Sequence, residues 1–596
     1  MPATRTETLA YRPGPVTRRP QVVTGRQVAI VGAGQAGIQL ALGLQHHGYQ
    51  VSLVTDRSPD EIRSGNVMAS QCLFAPALEV EDNSDLPTWE DEAPAITDLA
   101  LTLEGEEGTS WRTAFDSPAR SVDLRLKYAT WLELFASRGG DLRLESMSLA
   151  ATEELASSHD LVIVATGKGE VGSAFPVDRS RSPFAAPQRV LAMALVTGVV
   201  PDPAGHALRL AINPDVGEFI TYPMLTADGV AQVMMFEGRP GTAMGRALDA
   251  IGGPEDHLAV TQELLAAHFP AEAARFAGAR LVDATAVAHG QVTPAVRRPV
   301  GYLPSGRAVL GLGTAVVATD PIASQPSNNA SLAADFYLDA ILRRGARPFD
   351  DAWKKKTFEA FWRGWSKWSV LWTNSMLDGI TETQRRLLRT AADIPGVAQA
   401  VAGSLEDPRT SYRWWFDEAS AAELVAQGAA EARGEFDARD FRAALGQYAT
   451  GVTVITTKDD VGTYHGLTAN SFTSVSIDPP LVLWCPSKRA TSLPAFESAT
   501  HFAINVLADS QYHLSRQFSV SGSEEKFKGV DVVEGVGGAP VLRDAVASFQ
   551  CRLVARHDGG DHLIYVGEVE QYDRTGGEPL LFHNGRFHAT RPRPEG

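Results

Sequence analysis

Three glycines near the start of the chain have the spacing of a dinucleotide-binding turn. Gly32, Gly34 and Gly37 form a G-x-G-x-x-G motif that includes Gln35 and Ala36. The first glycine permits a tight turn, the second lets the backbone approach a pyrophosphate, and the third lets a helix pack closely on a strand. The free N–H groups at the start of the following helix would bind the diphosphate. These five residues therefore predict a dinucleotide site, the alternative being a glycine-rich turn without a ligand.

A carboxylate follows the glycine motif at the distance expected for dinucleotide binding. Asp56 lies about twenty residues beyond Gly37, after a second apolar run, where it can accept a hydrogen bond from a ribose hydroxyl. Its neighbour Arg57 is assigned to the same site. The motif does not distinguish FAD from NAD. We take it as the only G-x-G-x-x-G that follows a strand, so a flavin bound there must receive its electrons from elsewhere.

A second set of residues with binding chemistry lies in the last quarter of the chain. The run at 468–474 offers small hydroxyl side chains and closely spaced backbone N–H groups. Such groups suit a planar, hydrogen-bond-rich isoalloxazine against a barrel wall. Ser487 and Lys488 follow an apolar run and could hold phosphate. The alternative is an exposed Ser/Thr-rich strand and loop. The run consists of Thr468, Ala469, Asn470, Ser471, Phe472, Thr473 and Ser474.

Short apolar runs around the glycine motif predict a strand–helix–strand unit. Q-V-A-I-V-G from Gln27 predicts a buried parallel strand, residues 38–44 a helix, and Q-V-S-L-V a second strand. D-L-V-I-V-A-T-G at 160–167 predicts another buried strand, and alternating segments up to about Val300 suit an antiparallel sheet. A tryptophan-rich pattern at 331–388 predicts packed helices.

The character of the chain changes near Arg433. Short β-rich runs separated by turn residues follow this point and predict a small barrel. The Ala/Glu-rich stretch before it predicts a helix or a helical linker. We therefore expect a disordered lead-in at 1–25, an α/β unit at 26–417, a helical linker at 418–433 and a β-rich unit at 434–596.

Composition limits the classes of partner and compartment. A net charge of −17 argues against a nucleic-acid or acidic-membrane partner, because phosphate binding needs an excess of Lys and Arg. Three separated cysteines, Cys72, Cys485 and Cys551, form no C-x-x-C pair, so neither a metal site nor a disulfide framework is predicted. Without an apolar targeting segment in view, we expect a cytoplasmic protein.

Residues 27–417 resemble the oxygenase component of styrene monooxygenase. The resemblance is carried by V-A-I-V-G-A-G-Q-A-G, V-T-D-R-S-P-D-E, S-V-D-L-R-L, V-A-T-G-K, V-T-P-A-V-R and G-L-G-T-A-V-V-A-T-D-P. It implies a p-hydroxybenzoate-hydroxylase-like fold, in which a Rossmann-like FAD-binding domain carries an antiparallel-sheet substrate domain. It also implies flavin contacts from Arg120, Arg125, Asp320, Pro321 and Asn328, and a substrate pocket lined by Ser70, Gln71, Cys72, Phe74 and Pro294.

Two positions depart from the usual pattern of that family. Its Gly-Asp pair is Gly313-Thr314 here, and its G-Q-G loop is Ser324-Gln325-Pro326. Both changes imply weaker retention of oxidised FAD, which an oxygenase supplied with reduced flavin can tolerate.

Residues 436–588 resemble the short-chain flavin reductases that serve two-component monooxygenases. The resemblance is carried by G-L-T-A-N-S-F-T-S-V-S-I-D-P-P-L-V-L-W-C, H-F-A-I-N-V-L, E-K-F-K-G-V, G-D-H-L-I-Y-V-G and P-L-L-F-H-N-G-R-F. It implies a split β-barrel. It also implies flavin contacts from Cys485, Phe527 and Lys528, and a catalytic role for His562 on the nicotinamide side.

Together the two resemblances imply a self-sufficient FAD-dependent monooxygenase of aromatic hydrocarbon catabolism. The C-terminal unit would reduce FAD with NADH, and the N-terminal unit would use reduced FAD and O₂ to epoxidise styrene, or indole on the way to indigo. We expect a homodimer with no nucleic-acid or membrane partner, and leave open a separate oxygenase component as a further partner. The alternatives are an NADH:flavin reductase with a degenerate N-terminal binding module, and a flavin-dependent halogenase.

Overall fold

The protein is described by a computed structural model that covers residues 25–590 apart from 85, 106–107, 147, 433–437, 489 and 520–525. The chain forms two compact units, and the boundary between them falls between residues 435 and 436. The predicted lead-in, except for Gly25, and the junction at 433–437 lie outside the described residues.

The first unit contains seventeen strands and fifteen α-helices among its described residues. The strands are β1 (Gln27–Val31), β2 (Gln50–Thr55), β3 (Ile96–Leu103), β4 (Thr109–Ala119), β5 (Asp141–Leu144), β6 (Leu161–Val164), β7 (Val190–Thr197), β8 (Ala207–Asn213), β9 (Gly217–Thr221), β10 (Pro223–Thr226), β11 (Gly229–Gly238), β12 (Arg280–Leu281), β13 (Val287–Gln291), β14 (Ala295–Val296), β15 (Val300–Tyr302), β16 (Ala308–Gly311) and β17 (Val317–Ala318). The helices are α1 (Gln35–His46), α2 (Pro59–Arg63), α3 (Ala75–Asn83), α4 (Leu124–Ser137), α5 (Leu149–Ser158), α6 (Gly169–Gly172), α7 (Ala243–Asp249), α8 (Pro254–His268), α9 (Pro270–Phe276), α10 (Gln325–Arg344), α11 (Asp351–Phe361), α12 (Lys367–Leu377), α13 (Glu382–Thr390), α14 (Pro395–Glu406) and α15 (Glu418–Ala432).

A six-stranded sheet with the order β15-β16-β6-β1-β2-β5 positions the glycine motif. β1 is parallel to both β2 and β6, and every residue of β6 is buried, as its continuous apolar sequence predicts. β16 is parallel to β6 and antiparallel to the edge strand β15. The carboxyl ends of β1 and β6 therefore lie side by side, and the loops that follow them meet.

A nine-stranded sheet carries the other half of this unit. Its order is β12-β7-β11-β9-β8-β3-β4, with β10 also paired to β11 and β13 to β7. Side chains alternate between two cores, since Ile220 and Met235 face one cluster while Phe219 and Phe236 face another. The first of these clusters includes residues of α13 and α14, so these helices cover that face of the sheet.

The tryptophan-rich segment forms packed helices. α11 and α12 are joined by a π-helical turn, Trp362–Ser366, and π turns often occur next to functional sites. Trp365 and Trp372 are both about 1 % exposed. A packing stripe therefore explains most of this series.

The second unit contains twelve strands and three α-helices among its described residues. The strands are β18 (Thr450–Gly451), β19 (Thr453–Lys458), β20 (Tyr464–Ala469), β21 (Thr473–Ile477), β22 (Pro480–Trp484), β23 (His501–Val506), β24 (Val532–Glu534), β25 (Pro540–Leu542), β26 (Ala547–Gly559), β27 (His562–Arg574), β28 (Leu581–His583) and β29 (Arg586–His588), and the helices are α16 (Ala438–Gly446), α17 (Leu493–Ser498) and α18 (Tyr512–Ser519).

Seven of these strands form one antiparallel sheet with the order β20-β19-β23-β26-β27-β22-β21. Aromatic side chains fill its core, where the Trp484 ring lies 5.3 Å from that of Tyr565 and 5.1 Å from that of Phe496. β21 is an edge strand with four of its five residues exposed. No described helix in either unit is long and apolar enough to cross a membrane.

Candidate functional site

The glycine turn has the shape that a pyrophosphate requires. Gly32 has φ +111°, which favours glycine, and a Cβ on Gly37 would lie 2.0 Å from the Gly32 carbonyl oxygen. Gly34 differs, because a Cβ placed there would meet nothing within 4 Å. Gly34 is also the N-cap of α1 and provides no side chain to cap the helix. The turn therefore leaves open space and free N–H groups for an anion.

Three loops converge on this turn. The ideal Cβ of Gly32 would lie 3.0 Å from the Thr166 nitrogen, and that of Gly313 would lie 3.1 Å from Ala36 Cβ. A Cβ on Gly167 would lie 2.4 Å from the Thr314 carbonyl oxygen. The segments after β1, β6 and β16 thus approach each other closely enough to require glycine. Thr314, at the position of the usual aspartate, is exposed beside them.

The expectation of a single G-x-G-x-x-G motif after a strand is wrong. Gly167, Gly169 and Gly172 form a second one directly after β6. Its geometry differs from the first, since α6 contains only the four residues Gly169–Gly172. A single helical turn cannot support a helix dipole like that of α1, and Gly167 faces the Thr314 carbonyl. The second motif therefore belongs to the surroundings of the first turn.

The predicted ribose partner is accessible. The side chains of Asp56 and Arg57 are 56 % and 44 % exposed, and Arg57 Nε lies 3.9 Å from Asp56 Oδ1. This weak contact leaves the carboxylate oxygens available for ribose hydroxyls.

A buried ion pair that the sequence did not predict lies beneath the turn. Lys127 Nζ donates to both carboxylate oxygens of Glu81 at 2.7 and 2.8 Å, and Gln35 Nε2 donates to Glu81 Oε1 at 2.7 Å. The side chains of both ions are 2 % exposed. Burial raises the pKa of Glu81 and lowers that of Lys127, and each shift is opposed by the partner's charge. The pair ties α3 and α4 to the first residue of α1.

The predicted substrate segment is tied to two of the predicted flavin residues. Leu73 and Arg120 exchange backbone hydrogen bonds, and Asn328 accepts from the Phe74 N–H and donates to the Cys72 carbonyl. Arg120 Nη2 lies 3.4 Å from Glu90, but its buried Nε has no partner among the described residues. Gln71 Nε2 donates to the Val122 carbonyl. The structure thus brings Gln71, Cys72, Phe74, Arg120 and Asn328 together.

The same segment faces apolar core. Cys72 is fully buried, burial raises the pKa of its thiol, and the Phe74 ring lies 5.6 Å from Phe115. Ser70 Oγ lies 3.5 Å from Met235 Sδ. Cys72 is therefore a small hydrophobic side chain rather than a nucleophile. Pro294 is buried on the loop before β14.

Arg125 is held by carboxylates. Its guanidinium donates to Asp123 at 2.8 and 2.9 Å, to Thr285 Oγ1 at 2.9 Å and to Asp283 at 3.3 Å. Only 7 % of the side chain is exposed. These contacts join the start of α4 to the loop before β13.

The loop between β17 and α10 is strained. Ser324 has φ +53°, a conformation that favours glycine, at the position where the usual pattern has a glycine. Two contacts stabilise this turn: Asp320 Oδ1 accepts from the Ile322 N–H at 3.1 Å, and Asn328 Nδ2 donates to the Ser324 carbonyl at 2.7 Å. Pro321 begins the short helix that follows Asp320. The strain of about 1–3 kcal/mol must be offset by such contacts.

An apolar cavity opens between the nine-stranded sheet and the covering helices. Glu218 and Arg239 are its only charged lining residues among those described, and Ile322 of the strained loop forms part of its wall. The cavity has a volume of about 30 Å³, so its apolar side chains would have to move apart to admit an aromatic hydrocarbon. The other lining residues are Leu99, Leu101, Leu210, Ile212, Trp372, Met376, Ile380, Leu388, Val401, Leu405 and Trp415.

In the second unit, the predicted flavin run joins β20 to the edge strand β21. Asn470, Thr473 and Ser474 are exposed. Ser471 Oγ accepts from the Cys485 N–H at 2.9 Å and fixes the run to the end of β22. Thr468 Oγ1 donates to the Ser515 carbonyl, and the Phe472 ring lies 5.4 Å from Phe549. Ala469 pairs with Thr453 in β19. The exposed amide and hydroxyl groups of Asn470, Thr473 and Ser474 are available to hydrogen-bond a polar ring.

His562 lies next to the predicted phosphate residues. His562 and Ser487 form a backbone bridge, and the Lys488 N–H donates to the Asp561 carbonyl at 3.0 Å. His562 Nδ1 lies 2.8 Å from Asp561 Oδ1, and the side chain is 44 % exposed. Lys488 Nζ donates to Asp558 at 2.6 Å. These contacts leave the imidazole oriented and open to solvent.

Beside Phe527 and Lys528 lies a lysine that the sequence did not single out. Lys526 Nζ donates to the carbonyls of Gly466 and Phe518 at 2.8 and 3.1 Å, and burial lowers its pKa to about 8. The Phe527 ring lies 5.0 Å from Phe518. The Lys528 carbonyl accepts from Gln517, and its side chain lies at the surface. A cation in this position stabilises the C-terminus of α18.

Residues 445–591 match the family described as flavin reductase like domain. The chain is 48 % identical over 151 residues to the FMN reductase (NADH) SmoA of Agrobacterium fabrum, covering 85 % of that protein and 25 % of this chain. The chain belongs to the flavin reductase-like family. A solved structure similar to this flavin reductase-like part is the NADH:FAD oxidoreductase SgcE6 of Streptomyces globisporus C-1027, with 39 % identity, a TM-score of 0.26, and coverage of 27 % of this chain and 96 % of that one.

The first unit is similar to a different family of proteins. Residues 167–275 match the family described as styrene monooxygenase A putative substrate binding domain. The styrene monooxygenase StyA of Pseudomonas fluorescens is 29 % identical over 326 residues, covering 77 % of that protein and 53 % of this chain. Both resemblances seen in the sequence are thereby confirmed. This member of the flavin reductase-like family carries a styrene monooxygenase-like oxygenase unit in the same chain, the arrangement of a self-sufficient monooxygenase.

Proposed function

We propose that this protein epoxidises an aromatic alkene, styrene or indole, with reducing equivalents that its own C-terminal unit takes from NADH. The observation that carries the proposal is the occurrence in one chain of the open glycine turn at Gly34, an apolar cavity, and a flavin reductase-like unit. The similarity to StyA and to an FMN reductase (NADH) supports the same conclusion.

FAD is the flavin that best fits the first unit. A strand–turn–helix with an uncapped N-terminus and an exposed acid after the next strand suits a dinucleotide, and FMN, which has no adenosine ribose, would leave the acid without its partner. We propose that the first unit is a Rossmann-like FAD-binding domain with a p-hydroxybenzoate-hydroxylase-like substrate sheet. The turn at Gly32–Gly37 and Asp56 would hold the diphosphate and ribose, and the free Arg120 Nε would face anionic groups of the cofactor.

Reduced FAD supplies the chemistry, by activating O₂ so that one oxygen atom enters the substrate and the other leaves as water. The overall reaction, alkene plus O₂, NADH and H⁺ giving epoxide, water and NAD⁺, is balanced. The protein has to orient the double bond and exclude water, and the cavity lined by Leu99, Trp372 and Trp415, once widened to admit the substrate, would do both. No nucleophilic side chain is needed for this reaction.

The second unit would bind FAD and NADH in a split barrel. The run Thr468–Ser474 would hold the isoalloxazine, and Ser487 and Lys488 would bind the phosphate. His562, which forms a backbone bridge with Ser487, would contact the nicotinamide. Because the two units are covalently linked, the effective concentration of one near the other is of order millimolar.

The test is to add NADH, FAD and either styrene or indole to the purified chain in air and to identify the product. Epoxide or indigo formed in step with NADH oxidation would support the proposal, and the ratio of the two substrates' rates would select between them. NADH consumption that yields only hydrogen peroxide would favour a reductase with a degenerate binding module. A product that requires chloride would favour a halogenase.

His562→Ala should slow the reductase without loss of flavin. The exposed imidazole is oriented by Asp561, so its removal takes away a nicotinamide contact but no core packing. We expect the KM for NADH to rise about tenfold, the cost of one hydrogen bond of about 1.4 kcal/mol. Steady-state kinetics and flavin titration check this. His557→Ala, an exposed histidine on β26, is the matched control and should change neither constant. Loss of flavin affinity at an unchanged KM would contradict the assignment.

A further inference from the structure

Two buried carboxyl groups meet where the substrate sheet contacts the strained loop. Glu237 near the end of β11 and Asp320 at the start of the loop are both 0 % exposed, and the charge of Asp320 lies close enough to raise the pKa of Glu237. No hydrogen-bond donor among the described residues reaches Glu237 Oε1, Glu237 Oε2 or Asp320 Oδ2. A buried carboxylate that accepts no hydrogen bond is strongly disfavoured, and a proton on the pair would let one carboxyl group donate to the other.

The charges around the pair balance only if one proton is kept there. Glu218 lies opposite Glu237 across β9 and β11, and Arg189 before β7 binds it with both ends of its guanidinium, at 2.7 and 2.9 Å. Among the described residues, Arg239, just after β11, is a second cation that faces this cluster. The two guanidinium groups are thus balanced by the charge of Glu218 and by one negative charge on the Glu237–Asp320 pair. Loss of the proton would leave three buried negative charges against two positive ones.

The site of the proton is Glu237. Burial raises the pKa of Glu237 well above its usual value, and the neighbouring charge of Asp320 raises it further. Asp320 differs from Glu237, because Asp320 Oδ1 accepts a hydrogen bond from the Ile322 N–H, whereas no donor among the described residues reaches either oxygen of Glu237. Asp320 is therefore the acceptor, and its other oxygen caps the Ile322 N–H.

We propose that the Glu237–Asp320 pair is a protonated latch that holds the strained turn 320–324 in place for oxygen transfer. Asp320 fixes Ile322, whose side chain forms part of the cavity wall, and the turn leads to Asn328, which binds the Cys72–Phe74 backbone. Glu237 and Asp320 are positioning residues. When the latch loses its proton, repulsion releases the turn, water enters, and electrons are lost as hydrogen peroxide. This inference rests on the proposed function.

The test uses the full chain with NADH, FAD and styrene, and measures epoxide formed per NADH consumed as the pH is raised from neutral. In the wild type we expect this ratio to fall at alkaline pH. Glu237→Gln keeps a donor to Asp320 and cannot ionise, so its ratio should stay level over the same range. Glu237→Leu removes the donor and should lower the ratio about tenfold at neutral pH. NADH oxidation by the reductase unit should be the same in all three proteins.

A readout that needs no turnover separates this inference from the proposed function. Infrared spectra of the wild type at neutral pH should contain the carbonyl band of a buried protonated carboxyl, which disappears at alkaline pH and is absent from Glu237→Gln. Glu237→Gln with the same alkaline fall as the wild type, or a wild type without the band, would overturn the latch. A wild type that shows the band but forms no oxygenated product would leave the latch standing and refute the oxygenase.

Discussion

Gly34→Val should abolish epoxidation while NADH oxidation continues. The new side chain meets no protein atom within 4 Å of its Cβ, and the φ of −85° and ψ of −176° at this position suit valine. Only the space above the N-terminus of α1 is lost, and with it the approach of a pyrophosphate. Losing two charged hydrogen bonds of about 1.5–3 kcal/mol each predicts a fall in product of roughly a hundredfold or more. Hydrogen peroxide should then account for nearly all the electrons.

Gly37→Ala is the contrasting control for this prediction. Its Cβ would lie 2.0 Å from the Gly32 carbonyl oxygen, so this smaller substitution should disturb the folding of the unit. Circular dichroism and thermal unfolding distinguish a folded Gly34→Val from a damaged Gly37→Ala. Unchanged epoxide formation by Gly34→Val would show that the turn is only structural. Loss of NADH oxidation in a folded Gly34→Val would show that the reductase depends on this turn.

Glu81→Leu should destabilise the oxygenase unit by about 3–5 kcal/mol, because it leaves a buried ammonium without a counter-charge. Lys127 Nζ donates to both oxygens of Glu81, and it also lies 4.6 Å from the centre of the Trp131 ring. A cation–π contact of about 2 kcal/mol cannot replace the lost pairing. Urea unfolding followed by tryptophan fluorescence would measure the shift.

Two controls separate the ion pair from simple loss of packing. The double variant Glu81→Leu with Lys127→Met removes both charges and should recover most of the lost stability. Asp60→Ala removes the 94 % exposed partner of Arg63 and should leave the unfolding midpoint unchanged. If the double variant is less stable than Glu81→Leu, the two charges do not stabilise each other and the prediction is wrong.

The dinucleotide turn could be predicted from the sequence because its requirements are local. A positive φ at Gly32 and close approach of Gly37 to the Gly32 carbonyl depend on residues within one turn of chain. The continuous apolar runs of β1 and β6 likewise indicate buried parallel strands without knowledge of their neighbours. The similarity of the second unit to flavin reductases could also be predicted, since the matching residues lie in short contiguous stretches.

The second G-x-G-x-x-G motif follows β6 and contradicts the prediction of a single one. Gly167, Gly169 and Gly172 repeat the spacing of the first motif, but only the structure shows that their helix ends after four residues and that Gly167 meets the Thr314 carbonyl. The spacing of the glycines determines neither the length of the helix that follows them nor the position of the Thr314 loop, which lies more than a hundred residues away in the chain.

The tertiary structure alone decided which polar groups are buried together. Glu237 and Asp320 lie on a strand and a distant loop, Glu81 and Lys127 on separate helices, and Lys526 becomes buried through carbonyls of β20 and α18. The cavity is likewise assembled from the nine-stranded sheet and helices that follow it much later in the chain. A side chain's pairing and protonation depend on its burial and on the charges within a few ångströms, and packing between segments far apart in sequence sets both.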